Sequence, residues 1–299
     1  MGILVVGTVA FDSVKTPAGE ANDAIGGSAT YFSAAASYYT PVDVIAVVGN
    51  DFPLDSLEFL QKRQVDFSGL EIKEGKTFRW AGEYAENMND RRTIDTQLNV
   101  FSDFRPVLME RHRIQDHVFL ANLDPEVQQA VLNQSSSKGI VACDTMDFWI
   151  SGKRESLLST LSQVDILLIN DSEARQLVDD YNLVRATNRI LDLGPRAVVV
   201  KRGEHGATLC TEDTYFTISS YPVTSVVDPT GAGDTFAGGF LGYLAQSGNT
   251  DVRTLKQAMV HGSVMASFNV EDFSLRRLRS VTKSELSERH DRFMEMITL

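Results

Sequence analysis

Residues 166–200 read Ile166-Leu-Leu-Ile-Asn-Asp-Ser-Glu-Ala-Arg-Gln-Leu-Val-Asp-Asp180, then Tyr181-Asn-Leu-Val-Arg-Ala-Thr-Asn-Arg-Ile190, then Leu191-Asp-Leu-Gly-Pro-Arg-Ala-Val-Val-Val200. Two short apolar runs, Ile166–Ile169 and Ala197–Val200, enclose segments 173–180 and 186–193 that carry helical patterning. Strand, helix and strand in that order predict a right-handed crossover between parallel strands. Working outward, Ile3–Val6, Val44–Val48, Val118–Leu120 and Ile140–Ala142 are further near-continuous runs of Val, Ile or Leu. Such runs suit strands covered by helices on both faces. Pro125–Leu132 sets Val127, Ala130 and Val131 at helical spacing. The expected fold is α/β, a doubly wound, mostly parallel sheet flanked by helices.

Residues 71–100 break the alternation. Thr77-Phe-Arg-Trp80 and Gly82-Glu-Tyr84 precede a polar stretch, Asn87–Arg92, and then Thr93–Val100. Aromatic and β-branched residues around an Asn/Asp-rich centre predict antiparallel strands joined by a turn. With residues 12–25 they would form a small β-strand lid over the strand ends. On one strand Phe78 and Trp80 would share a face, able to stack on a sugar or nucleobase or to fill the lid's own core. Arg79, Arg91 and Arg92 are either phosphate or acceptor contacts, or exposed lid charge. Exposed lid edges would also allow a homodimer through the lid. Thr282-Lys-Ser-Glu285 is a capping-box pattern opening a closing helix with Leu286, Phe293 and Ile297 on one face. With no repeat or low-complexity linker, residues 1–299 read as a single α/β domain with this excursion.

Charge narrows the partners. Forty acidic against 28 basic side chains give a net charge of −12, which disfavours nucleic acid and anionic membrane surfaces. Cys143 and Cys210 form no framework and read as buried residues in a reducing compartment. Five scattered histidines without an HExxH pattern argue against a zinc enzyme. The first residues show no basic, cleavable leader, and no apolar run approaches ~20 residues. A cytoplasmic protein is the expectation.

Three tempting motifs fail. Gly69 precedes Gly75-Lys-Thr77 with five residues between the glycines, where a P-loop needs four; Gly231-Ala-Gly233 meets Phe236 where a dinucleotide fingerprint needs glycine. Asn133-Gln-Ser135 and Asn170-Asp-Ser172 match glycosylation sequons, which carry no weight without secretion. The informative run is Asp228-Pro-Thr-Gly-Ala-Gly-Asp-Thr-Phe-Ala-Gly-Gly-Phe240. Its second half predicts a helix with an apolar stripe of Phe236, Phe240, Leu241 and Leu244. Gly238, Gly239 and Gly242 cost about 1 kcal/mol each relative to Ala in a helix, so they imply close backbone packing. A glycine-rich turn entering a helix leaves N–H groups unpaired and aimed one way, an anion site. Asp234, at the helix start, is either a helix cap or an acceptor for the proton of an attacking hydroxyl.

Asp228–Phe240 resembles the C-terminal signature of the ribokinase-like (PfkB) carbohydrate kinases. Gly26-Gly-Ser-Ala-Thr-Tyr-Phe-Ser-Ala-Ala-Ala36 resembles that family's glycine pair opening a helix. Asn170-Asp-Ser-Glu173 is similar to its NxxE motif, and Gly203-Glu-His-Gly206 to its nucleotide-side turn. The four motifs stand in family order from Gly26 to Phe240. The resemblance implies an ATP-dependent phosphotransferase acting on a hydroxyl of a small sugar or sugar-containing acceptor. In it Asp234 would be the general base, and the amides of Gly231, Ala232 and Gly233 the anion hole. Asn170 and Glu173 would organise Mg²⁺ through water; a plain helix cap is the other reading of that pair. Asn170, Lys201, Gly203, Gly206, Gly231 and Gly233 would meet ATP, and Asp12, Gly26, Gly27 and Tyr31 the acceptor. Asp228, Thr230 and Ser274 would hold a monovalent cation such as K⁺. Two positions depart from the pattern. Tyr31 stands where many sugar kinases have a sugar-binding Asn, which favours a nucleoside kinase as the alternative. Lys201 stands where a small hydroxyl residue is common. A non-catalytic sugar or nucleotide sensor is the alternative outside the enzymes, and a NAD enzyme lacks its glycine fingerprint.

Overall fold

The computed structural model describes residues 2–298. Its strands are β1 (Ile3–Val6), β2 (Ala10–Thr16), β3 (Gly19–Gly26), β4 (Val42–Gly49), β5 (Val65–Lys73), β6 (Arg79–Tyr84), β7 (Arg91–Gln97), β8 (His117–Leu120), β9 (Val141–Asp144), β10 (Ile166–Asn170), β11 (Ala197–Lys201), β12 (Ala207–Thr211) and β13 (Thr214–Ile218). A nine-stranded sheet runs in the order β13-β12-β11-β10-β9-β8-β1-β4-β5. All neighbours from β11 to β5 are parallel; β12 and β13 are added antiparallel at one edge. The six runs expected as strands all lie in this sheet.

Alternate residues of each central strand feed two separate cores. Val199, Leu168 and Ala142 belong to one, with Phe236 and Phe240; Val198, Leu167 and Cys143 belong to the other, with Val127 and Leu177. Helices therefore cover both faces, and both cysteines are free thiols buried between them. The helices Pro125–Leu132, Asp171–Val178 and Leu183–Leu191 match the expected segments to within a few residues. Thr282 and Glu285 form the expected capping box, and Phe293 is fully buried.

Ala232–Ser247 is the signature helix. A Cβ on Gly238 would strike the Phe32 carbonyl oxygen of the helix Ser28–Ala36, and one on Gly239 would lie 2.7 Å from the His261 carbonyl oxygen. The glycines thus let three helices touch through their backbones, as expected. Gly238→Ala gains about 1 kcal/mol of helix propensity but forces backbone apart, which costs roughly 1–3 kcal/mol. The expected outcome is a lower urea midpoint, by about 1 kcal/mol of stability.

A second sheet of four strands runs β3-β2-β6-β7. It contains the expected antiparallel pair β6–β7, but β2 and β6 are parallel. One boundary differs: residues 71–73 belong to β5, paired with β4 in the large sheet, so the small sheet takes nothing from the chain before β6 except β2 and β3. The aromatic pair also differs. Phe78 precedes β6 and meets Phe101 beside the large sheet, whereas Trp80 joins Val14, Ala21 and Phe273 in the small sheet's own core. Strand alternation does not apply to a residue outside the strand, so Phe78 and Trp80 form no shared platform.

Candidate active site

Three neighbouring parallel strands end together. Asn170, last in β10, is in register with Lys201, last in β11; Asp144, last in β9, is in register with Leu168. Side chains two apart on a strand share a face, so Asp144, Asn170 and Lys201 continue the face that carries the signature helix. The crevice outside the carboxyl ends of such strands is where doubly wound folds bind ligands.

Gly231 caps the signature helix at φ 74°, a conformation a glycine adopts without strain. No side chain caps this helix. The Ala232 N–H bonds to the Pro229 carbonyl at 3.2 Å, while the N–H groups of Gly231 and Gly233 find no acceptor among the described residues. Those free donors and the positive end of a 16-residue helix suit an anion. The turn is fixed from below. Thr230 N–H donates to Asp228 Oδ1 at 2.8 Å, and Asn269 Nδ2 donates to the Thr230 carbonyl at 2.8 Å. Tyr31, fully buried, presses its ring against Gly231, and its hydroxyl has no partner.

Asp234 lies three residues into the helix, half-buried. Burial pushes its carboxyl up to about 7; the charge of Asp144 adds to this, and Lys201 and Arg91 oppose it. Asp12, on β2, is buried and also pushed to about 7 by burial, against a bond from the Gly27 amide and with the charges of Asp228 and Asp234 adding. A Cβ on Gly26 would overlap the Asp12 carboxylate, so glycine is needed there. The charge of Asp234 therefore reaches Asp12, although 222 positions of sequence separate them. Two carboxyls raised in this way are candidates for functional roles.

Asn170 and Glu173 form a capping box: Asn170 Oδ1 accepts from the Glu173 N–H at 2.8 Å, and Glu173 Oε2 from the Asn170 N–H at 3.0 Å. Burial and the charge of Asp144 nevertheless raise Glu173 to about 7, so the pair caps a helix and also faces the strand-end cluster. Asp144 itself escaped the sequence reading. Lys201 Nζ bonds to Asp144 Oδ2 at 2.5 Å, with the two side chains 17% and 5% exposed. Gly203 (φ 54°) and Gly206 (φ 83°) shape the turn after β11. Ser274 Oγ donates to the Ile25 carbonyl at 2.5 Å, and its N–H approaches Asp228 Oδ2 at 3.4 Å.

The small sheet reaches the same place. Tyr84 and Thr230 meet through their hydroxyls at 3.3 Å. Asn89, in the β6–β7 turn, donates from Nδ2 to Glu204 Oε1 at 3.1 Å, so the sheet's tip touches the Gly203–Gly206 turn. Arg79 is engaged by Asp23 and Asp51, Arg92 by Glu83, and Arg91 lies over the Trp80 ring.

A large doubly wound sheet joined to a small sheet that overhangs its strand ends is the fold of the ribokinases, kinases of small molecules. The family model for pfkB family carbohydrate kinases matches residues 3–279, and the chain belongs to that family. A cytidine kinase of Thermococcus kodakarensis is 28% identical over 251 residues, covering 81% of this chain and 87% of that one. An ATP-dependent ribose-1-phosphate kinase of Halopiger xanaduensis is 29% identical over 253 residues, covering 81% and 80%. The fold is shared with a ribokinase II of E. coli solved with ATP and Mg²⁺, at TM-score 0.75, 20% identity and coverage of 98% and 99%. The protein is a kinase that phosphorylates a sugar or nucleoside from ATP. No described helix is long and apolar enough to cross a membrane.

Proposed function

We propose that the acceptor is an uncharged furanose, free or as a nucleoside, whose vicinal hydroxyls bind Asp12 and whose primary hydroxyl is deprotonated by Asp234. The observation that carries this is a pair of carboxyls raised by burial, Asp12 and Asp234, the charge of the second reaching the first, while Arg79, over the Phe11 ring next to Asp12, is already engaged by Asp23 and Asp51. Gly26, Gly27 and Tyr31 supply the floor. Tyr31 is buried and Trp80, partly buried, packs on the small sheet's own core with Arg91 over its ring, so the stacking argument for a nucleoside weakens and that alternative leans on the likeness to a cytidine kinase.

Residues 1–299 act in this reading as one domain, with the small sheet as its lid. Gly231 and Gly233 donate to the transferring phosphoryl oxygens; Ala232 completes the turn. Lys201, Gly203 and Gly206 border the nucleotide. Among the described residues no group of three side chains forms a metal cage. Glu173 offers the one carboxylate that Mg²⁺ uses when phosphates and water complete its shell, and Asn170 beside it would act through those waters. Bound there, Mg²⁺ would neutralise phosphate charge. Asp228, Thr230 and Ser274 would hold K⁺; the N–H groups of Thr230 and Ser274 both reach the Asp228 carboxylate, which supports their grouping. The free buried thiols fit a cytoplasmic protein, and β7, exposed at every residue, fits a homodimer through the lid. The negative net charge supports neither nucleic acid nor membrane as a partner.

A panel of cytidine, other nucleosides, ribose, deoxyribose, fructose and ribose 1-phosphate, read by ADP release, tests the reading. Turnover is expected with a neutral nucleoside or pentose and at most background with ribose 1-phosphate. Preference for ribose 1-phosphate would overturn it.

A further inference from the structure

The surroundings of Lys201 bear on what its cation does. It is the last residue of β11, at the edge of the crevice, and still 17% exposed. Its ammonium is held by Asp144 at 2.5 Å. A Cβ on Gly233 would come within 3.1 Å of Nζ, so only the missing side chain of that glycine separates the ammonium from the signature helix's free amides. Asp144, Glu173 and Asp234 all act on it. Three carboxylates and one lysine leave the cluster negative where a triphosphate has to end. Two amides and a helix terminus, equivalent to roughly half a charge, answer that deficit poorly.

We infer that Lys201 is a catalytic residue that contacts the γ-phosphoryl group beside the Gly231 and Gly233 amides, and that Asp144 is its positioning residue. The inference rests on the proposed site for phosphoryl transfer and adds to it a side-chain cation specific to the terminal phosphate. In the transfer the O–P bond to the acceptor forms as the bond from the γ-phosphorus to the leaving ADP oxygen breaks. The acceptor's proton goes to Asp234. Lys201 keeps its proton throughout and follows the oxygens of the moving group. Burial alone would lower the Lys201 pKa, but the charge of Asp144 and its hydrogen bond outweigh that and raise it, so the ammonium stays charged across the working range. In the resting protein Asp144 holds the ammonium at the strand end, close to where the phosphoryl oxygens arrive.

The test compares Lys201→Met, Asp144→Asn and the double variant, because Lys201→Met alone strands a buried carboxylate and destabilises the fold. Calorimetry with ATP and with ADP, without acceptor, reads the terminal phosphate directly. The expected result for the double variant is a melting temperature near that of the wild type. Its ATP affinity should fall about tenfold further than its ADP affinity, and kcat about 10²-fold or more, as for loss of one donor to a developing anion. Asp144→Asn should lower kcat about tenfold while ADP binding holds. A folded double variant that loses ATP and ADP affinity equally, or that keeps kcat within about threefold, would overturn the inference. The ATP-to-ADP ratio needs no acceptor, so it decides the role of Lys201 even if every acceptor in the panel fails.

Discussion

Asp234→Asn is expected to lower kcat by about 10³-fold or more, at the upper end of what a positioned general base contributes. ATP affinity should stay within about threefold, because the free amides of Gly231 and Gly233 are main-chain groups that the substitution leaves in place. Coupled ADP release gives the first number and calorimetry the second; near-normal turnover would remove Asp234 as the base. The pH dependence has a definite sign. The free enzyme must hold Asp234 ionised, so kcat/KM for the acceptor falls as pH drops through about 7. Asp12 is raised to the same region, so the acid limb should steepen toward a slope of two and relax to one in Asp12→Asn. Stability runs the other way. The folded protein keeps the Asp234 proton up to about 7, whereas an unfolded aspartate releases it near ~4. The native state thus binds more protons in that window, and stability falls as pH rises through it. Asparagine escapes that loss, so the inactive variant should melt higher than the wild type at pH 8, with the gap closing at pH 4.

Asp12→Asn should produce the second largest effect, about a 10³-fold loss in kcat/KM for the acceptor. A carboxylate that accepts from two hydroxyls gives up two charge-assisted bonds, each worth roughly 1.5–3 kcal/mol. The loss should fall mainly on KM, with ATP affinity unchanged, and steady-state kinetics at fixed ATP read it. The asparagine fits the same space, since the glycine at 26 leaves room for a side chain of that size. A loss of only a few-fold would move the acceptor away from β2.

The large sheet was legible because its strands are buried on both faces and read as unbroken apolar runs. The β12–β13 hairpin was not: Glu212-Asp213 lacks the glycine that marks a two-residue turn, and its strands mix Thr with Tyr and Phe. In the site, the glycine turn and Asp234 stood out because their local spacing alone suggests an anion hole. Asp144 did not, because the apolar run Ile140–Ala142 ends before it, and the strand's continuation through Cys143 to Asp144 comes from pairing with β10. Asn269 was invisible for a similar reason. It closes a helix 39 residues downstream of the Thr230 carbonyl it holds, and nothing local marks it. Trp80 and Tyr84 were correctly placed on a strand, but that both pack against a core depended on β2 and β3.

The contact of Asn89 with Glu204 ties the tip of the small sheet to the turn after β11, which makes the sheet a bridge between the proposed acceptor and nucleotide sides of the crevice. One exposed hydrogen bond of this kind is worth about 0.5–1.5 kcal/mol, roughly a two- to twelvefold bias toward the closed arrangement, and the Tyr84–Thr230 contact adds to it. With the small sheet acting as the proposed lid, reactants can enter without first being recognised, and tight sealing against water has to be supplied by the acceptor once it is seated. Wasteful hydrolysis is then restrained by the order in which the crevice fills, not by the latch itself.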